Sequence, residues 1–495
     1  MASEKEAAGG GVSSYHSDLE TSKPGIEQLE VIADPDEGLS EEEKAKIDRR
    51  LLRKLDMRLI PWLSLLYLAS FLDRTNIGNA KLDGLQEALH MTDGQYNASL
   101  TIFFISYSIF EPLTNVLLKR TLPSIFIPTI IVLWGICMTT MGLVHNFSGL
   151  MAARWFLGLA EAGLFPGVAT IFPAAGSFGG LLAAAIAKMD GVGGKDGWAW
   201  IFILEGLATV VIGVLSFWLV YDFPDKAKFL SDIDRKRVMR RLALDQQSST
   251  AKEHEWKSSY LWDSLKDHKT WLGAIIYMGA DGALYAFSLF LPTIIKELGI
   301  LKVFYLSSYS STRAQLLSVP PYACAAILTV SVGYIADRTR QRGIYNILAS
   351  ILGIVGFSML LGTKSPGVKY AGVFLGAMGI YPCIANTIAW VSNNVEGIYK
   401  RGVTIGIMIG WGNLNGIMSS NIYRNADAPN YYPGHGTVLA YLTLFLFIGS
   451  ISEYFLLKRE NRKRRRGDRD HRVAGLTPEE IAQLGDKRPD FIYTI

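Results

Sequence analysis

Twelve apolar stretches, separated by polar segments, run along this chain near 59–80, 96–118, 122–145, 148–168, 173–189, 198–221, 270–295, 311–336, 344–363, 368–393, 401–424 and 435–457. Roughly 20 apolar residues at 1.5 Å rise each match a hydrocarbon core about 30 Å thick. A long polar segment, rich in Lys, Arg, Asp and Glu, separates the sixth stretch from the seventh. The pattern predicts an all-α membrane protein with twelve transmembrane helices in two six-helix bundles. The bundles are expected over 49–221 and 270–457, joined by a linker over 222–269. Residues 1–48 read as a disordered acidic tail, and 458–495 as a basic tail. Lys44 to Arg58 has the pattern of a basic amphipathic helix lying on the membrane surface. No basic segment leads into an apolar core near residue 1, so a cleaved signal peptide is not expected.

The basic residues set the orientation. Alternate loops carry Lys119 and Arg120, the Lys/Arg of 226–269, Arg338, Arg340 and Arg342, then Lys400 and Arg401. The run from Lys458 to Arg466 lies on the same side, whereas the opposite loops hold only scattered cases such as Lys81 and Lys195. The positive-inside rule therefore places both termini in the cytoplasm of a multi-pass protein, most simply one of the plasma membrane. Beside a membrane span, the C-terminal basic run reads as an orientation determinant that attracts anionic lipid, and no nucleic-acid partner is expected.

Composition agrees with a bilayer protein: 49% of residues are hydrophobic and only 19% charged, where soluble domains carry nearer a quarter. Cys137, Cys324 and Cys383 all fall in apolar stretches, so neither a disulfide framework nor a metal site is expected. Cofactors are not expected, nor an enzyme, because no nucleotide loop or nucleophile–base pair stands out. Gly176 to Gly180 lacks the Lys-Ser/Thr ending of a phosphate loop and suits close helix packing. A monomer embedded in lipid is expected.

One region breaks the repeat. From the first stretch to the sixth is about 139 residues, against about 165 from the seventh to the twelfth. The shortfall lies in Gly149–Met189, which must cross the membrane twice and contains Pro166 and Pro173. Span four is expected to end near Pro166 and span five to begin after Pro173. Either the hairpin is very short and kinked, or sequence is missing through splicing or gene structure. The stretch 301–310 is also out of character with its surroundings.

Candidate chemistry lies in ionisable residues inside the stretches, where each costs at least a few kcal/mol unless it faces protein or a watered cavity. Asp73, Arg74 and Asn76 lie in the first stretch, Arg154 and Glu161 in the fourth, and Asp281 in the seventh. At 1.5 Å per residue, Asp73 and Arg74 lie roughly 20 Å in from the cytoplasmic end of span one, and Arg154 about 9 Å below the outer surface. These depths nearly meet. Glu161 follows Arg154 by seven residues, on the same helical face. Tyr277, Asp281 and Tyr285 are spaced by four and form a polar stripe. Asn386 and Trp390 in span ten and Asn413 in span eleven could complete a cavity from the second half. The competing reading is structural: Asp73–Arg154 or Arg74–Glu161 would be interhelical ion pairs, and Glu205 would anchor helix packing or a latch.

Gly333-Tyr-Ile-Ala-Asp337-Arg338-Thr-Arg340-Gln-Arg342 resembles the loop motif of the major facilitator superfamily. That resemblance implies a tight turn at Gly333 and a conformational latch from Asp337, Arg338 and Arg342. The first-half equivalent, Asn115 to Arg120, lacks the acidic member. Arg154 to Gly167, with Glu161, resembles the fourth-span motif of the same superfamily. Asp73-Arg74-Thr-Asn76, the Gly197 to Gly206 segment, Gly410 to Gly416 and Tyr423 to Pro429 are similar to the anion:cation symporter family, and within it to fungal allantoate-permease-like transporters. The resemblance implies alternating-access transport of a small organic anion with protons, such as allantoate, nicotinate, another carboxylated vitamin or a small peptide. It implies proton exchange at Asp73 and Glu161 and anion contact at Arg74 and Arg154. A substrate sensor that does not translocate, or an inactive variant, is the alternative.

Overall fold

The computed structural model describes residues 35–163, 172–245, 258–298, 310–477, 480–481 and 484–495, and among them every regular element is helical. The first stretch forms α1 (Glu41–Thr75) and α2 (Ile77–Leu82). The next five form α3 (Asp93–Arg120), α4 (Pro123–Met141), α5 (Phe147–Glu161), α6 (Phe172–Ile186) and α7 (Gly197–Leu219). The linker contributes α8 (Asp232–Asp245) and α9 (Ser258–Lys266). The second half continues with α10 (His268–Glu297), α11 (Ser310–Thr339), α12 (Gly343–Gly362) and α13 (Pro366–Asn393). It ends with α14 (Ile398–Asn413), α15 (Asn415–Ser419), α16 (Tyr432–Ala440), a π-helical segment Tyr441–Phe447, and α17 (Ile448–Arg465). Among the described residues, eight helical segments are long and apolar enough to cross a membrane. The helices over the second, fourth, fifth and eleventh stretches are shorter or more polar.

Local sequence sets the ends. Ser40 and Glu43 form a capping box at the start of α1, Thr92 and Gln95 do the same for α3, and Asn146 caps α5. Glycine sets the closest contacts between helices: a Cβ on Gly78 would run into the Leu289 carbonyl, so α2 and α10 touch backbone to backbone. Within the first half α4 packs along α7. The two halves meet where α2 lies on α10, α3 on α14 and α15, and α6 on α11.

Hydrogen bonds tie the halves at the end away from the basic loops. Lys81 Nζ donates to Asn425 Oδ1 at 3.2 Å, Asn425 Nδ2 to Asp93 Oδ1 at 2.6 Å, and Gln315 Nε2 to Asp83 Oδ2 at 2.9 Å.

Several expectations need correction. Lys44 to Arg58 is not a separate surface helix: α1 runs through it unbroken into the first apolar stretch. Its apolar residue Leu51 packs on Ala227, Leu230 and Val238 of the linker, and Lys54 pairs with Asp234 at 2.9 Å, so protein covers what lipid was expected to cover. Gly333 makes no turn, because α11 continues to Thr339 and the chain reverses at Arg340, which takes a left-handed φ of 52°. Span four stops at Glu161, before Pro166, and α6 starts at Phe172 with Pro173 in its first turn, where a missing N–H is tolerated. α5 has 15 residues, about 22 Å, short of the roughly 30 Å core, and 15 residues of α6 are described. Residues 164–171, with Pro166, and most of 301–310 lie outside the described residues.

Candidate functional site

A chain of buried polar side chains crosses the junction of the two halves. Its centre is Arg74, in the last turn of α1 just before the helix is interrupted at Asn76. Arg74 Nη2 and Nε donate to Glu161 Oε1 of α5 at 2.6 and 3.2 Å, and Ser70 Oγ, one turn earlier on α1, donates to the same oxygen at 2.5 Å. In the other direction, Arg74 Nη1 donates to the Tyr285 hydroxyl of α10 at 2.7 Å. That hydroxyl donates to Asn413 Oδ1 at 2.8 Å, and Asn413 Nδ2 donates to Glu111 Oε2 of α3 at 3.2 Å. The guanidinium lies 4.8 Å from the Tyr107 ring centroid and 5.3 Å from that of Phe103, so aromatic faces enclose the cation. One arginine thus joins a carboxylate of the first half to a phenol of the second.

The remaining predicted residues fall into three places. Arg154 is fully buried in α5 over the Phe103 ring, with Nε donating to the Ser99 carbonyl at 3.2 Å. Its Nη1 and Nη2 have no partner among the described residues, and neither do Glu161 Oε2 and Asp281 Oδ2. Buried charges left open in this way mark places where a polar ligand or water would be satisfied. Tyr277 and Asp281 are buried on α10 against Gly412, where a Cβ would meet the Tyr277 ring.

Asp73 faces away from the junction. Its Oδ2 accepts from Trp134 Nε1 at 2.7 Å and Thr209 Oγ1 at 2.9 Å, inside the first half between α4 and α7. Asn76 joins that interior group by donating to Glu205 and accepting from Asn79 at 2.7 Å. Asn386 and Trp390 lie towards the basic end of α13, and their hydrogen bonds go to residues other than Arg74. Asn386 Nδ2 donates to the Arg342 carbonyl at 2.8 Å, and Trp390 Nε1 to the Thr494 carbonyl at 3.0 Å. Around them, Arg342 pairs with Asp337 and donates to Asn386 Oδ1 at 3.2 Å, while exposed Arg338 donates to the Tyr334 hydroxyl at 3.1 Å.

Sequence reasoning missed Glu111, Ser70, Tyr107, Trp134 and Thr209. Glu111 carried the signal used for Asp73, an acid inside an apolar stretch. The hydroxyls and rings carried none, because such residues are common in bilayer helices.

The C-terminal segment also folds back on the basic end. Asp486 accepts from Lys269 and Lys400 at 2.7 Å each, and Asp267 lies 3.0 Å from both ammonium groups. Burial works to raise both carboxyls, but the two ammonium groups outweigh it and hold Asp267 and Asp486 below the ordinary carboxylate range.

The model of the Major Facilitator Superfamily matches residues 63–175 and 168–420. The chain belongs to the major facilitator superfamily. It is 33% identical over 481 residues to an MFS-type transporter of Penicillium expansum, covering 90% of each chain. It is 31% identical over 469 residues to the high-affinity nicotinic acid transporter of Saccharomyces cerevisiae, covering 90% of this chain and 85% of that one. The fold matches a bacterial homologue of the human lysosomal transporter Spinster, solved inward-facing and occupied, with TM-score 0.58 and 15% identity over 81% of this chain and 96% of that one. The protein is therefore an integral, multi-pass membrane transporter of a small molecule. In this transporter the superfamily match divides in two within the short α5–α6 hairpin.

Proposed function

We propose that the transporter carries a small organic anion together with protons, by alternating access, and belongs with the anion:cation symporters. The observation that carries this reading is the position of Arg74, buried between Glu161 of one half and Tyr285 of the other. A substrate carboxylate entering this site competes with Glu161 for the same guanidinium. Protonating Glu161 removes the competing charge and frees Arg74, so proton and anion favour each other's binding. Arg154, with two unpartnered nitrogens, offers a second fork for a carboxylate. The nicotinic acid transporter among the relatives supports a monocarboxylate of vitamin size, with allantoate-like ureides and small peptides as further candidates. Asp73, enclosed by Trp134 and Thr209, is assigned to proton exchange instead of anion contact.

With the basic loops in the cytoplasm of a plasma-membrane protein, the Lys81–Asn425–Asp93 ties close the outer end. A second reading, a sensor or inactive variant that keeps the fold without translocating, is favoured by the shortness of α5, 15 residues long. Uptake of a panel of labelled carboxylates, nicotinate first, into transport-deficient yeast decides between them. Concentrative uptake of one member supports symport. Normal surface expression with no uptake, but with saturable binding, would establish the sensor.

A further inference from the structure

The basic end of α17 borders an open cavity of about 710 Å³, lined by α9, the start of α10, α17 and the returning C-terminal segment. Eight of its lining residues are Lys or Arg and three are Asp or Glu, so it is strongly positive. The carboxylates are already engaged: Glu460 holds Arg469 at 2.6 Å, Asp263 holds Lys487 at 3.3 Å, and Asp267 holds Lys269. Lys266, Arg459, Lys463 and Arg472 have no carboxylate partner among the described residues. They approach the same space from the linker (Lys266) and, about 190 residues later, from α17 and the segment that follows it. Four unneutralised cations around one cavity repel one another, and the arrangement is stabilised by an anion of high charge.

The cavity also borders apolar surface at the end of a candidate membrane span. Phe455 and Leu456, on α17 within the candidate span Tyr432–Arg465, are 62% and 44% exposed. Trp271 is exposed on the adjacent turn of α10, its Nε1 donating to the Leu265 carbonyl at 2.8 Å, the position of an interfacial anchor. A lipid can therefore place its phosphates among the four cations and its acyl chains along Phe455 and Leu456.

We propose that this cavity binds the polyphosphorylated headgroup of an inositol lipid from the inner leaflet. A singly charged headgroup such as phosphatidylserine leaves most of the four cations unneutralised. A soluble inositol phosphate matches the charge but forgoes the apolar contact. The proposal uses the cytoplasmic placement of this end, and binding measured in detergent tests the cavity without relying on topology or on transport.

The test is native mass spectrometry of the full-length purified transporter with phosphatidylinositol bisphosphate, phosphatidylserine and soluble inositol trisphosphate. One equivalent of the bisphosphate lipid should bind at least tenfold more tightly than either of the others. Lys463→Glu with Arg472→Glu should weaken it at least tenfold. Arg465→Glu with Arg466→Glu, the same charge change on exposed neighbours outside the cavity, should alter it less than twofold. If the glutamate pair does not fold, Lys463→Gln with Arg472→Gln takes its place, with the same loss expected. Equal binding of phosphatidylserine, binding of the soluble trisphosphate as tight as that of the lipid, or equal losses in the two paired variants would each overturn the proposal.

Discussion

Replacing Glu161 by Gln probes the coupling step with little change in shape. Three hydrogen bonds converge on Glu161 Oε1, from Arg74 Nη2 at 2.6 Å, Arg74 Nε at 3.2 Å and Ser70 Oγ at 2.5 Å. A Gln amide oxygen can accept all three, so the side chains keep their places. What is lost is the charge. Arg74 stays ionised, so its bonds to the Gln oxygen remain charge-assisted, and only the ion-pair attraction is lost, about 1–2 kcal/mol in all. An incoming carboxylate then displaces a weaker competitor. Its apparent affinity should tighten by a factor of roughly 5 to 30, the equivalent of about 1–2 kcal/mol. The proton-binding group has been removed as well, so exchange of labelled for unlabelled substrate should persist while accumulation driven by a pH gradient disappears. The assay is counterflow against gradient-driven uptake in proteoliposomes, for both proteins at matched incorporation. Full gradient-driven accumulation by Glu161→Gln, or unchanged affinity with exchange abolished, would refute the reasoning.

Other outcomes follow from the same geometry. Arg154→Lys should leave expression intact and weaken anion binding at least tenfold, about 1.4 kcal/mol, because an ammonium cannot supply a two-pronged fork; a competition assay measures it. Asn425→Ala removes the bond to Asp93 and the one from Lys81, so the outer closure should weaken by about 1 kcal/mol per bond and outward exposure should rise several-fold. Labelling of a cysteine placed in the outer part of the cavity reads that shift, and unchanged labelling would refute it. Asp486→Asn leaves Lys269 and Lys400 sharing Asp267 alone; breaking a buried pair costs about 3–5 kcal/mol, so limited proteolysis should cut the released C-terminal segment. In the unaltered protein the pH dependence has a definite sign. The folded-state pKa values of Asp267 and Asp486 lie below their unfolded values, so their stabilisation is fully present above about pH 4 and lost as pH falls through the folded values. Proteolytic protection of the segment should hold from pH 8 to 5, and loss of protection near pH 6 would contradict the assignment.

Much of the architecture could be read from the sequence because the bilayer imposes one rule on every span, and each apolar stretch overlaps at least one described helix. The charged candidates were legible for the same reason, since an acid or arginine inside an apolar run is rare. Which of them meet was not legible. Arg154 and Glu161 share a helical face, but seven residues separate them by about 10 Å along the axis, so one reaches Ser99 and the other Arg74. Asp73 and Arg74 are adjacent, yet the roughly 100° turn between successive residues sends them to different neighbours around α1. Asn386 and Trp390 looked like cavity residues because they are polar or amphipathic in an apolar stretch. Their partners, Arg342 and the backbone of Thr494, come from a loop and from a segment about 100 residues away, and no periodic pattern announces those contacts.

The central claim is that anion and proton move together through the Arg74–Glu161 site. It is tested most directly in proteoliposomes holding a trapped pH-sensitive dye, to which the best carboxylate from the uptake panel is added outside without an imposed gradient. The account predicts acidification of the lumen that begins with substrate addition, scales with uptake and is absent in Glu161→Gln. Substrate entry at the full rate with no change in lumenal pH would contradict it.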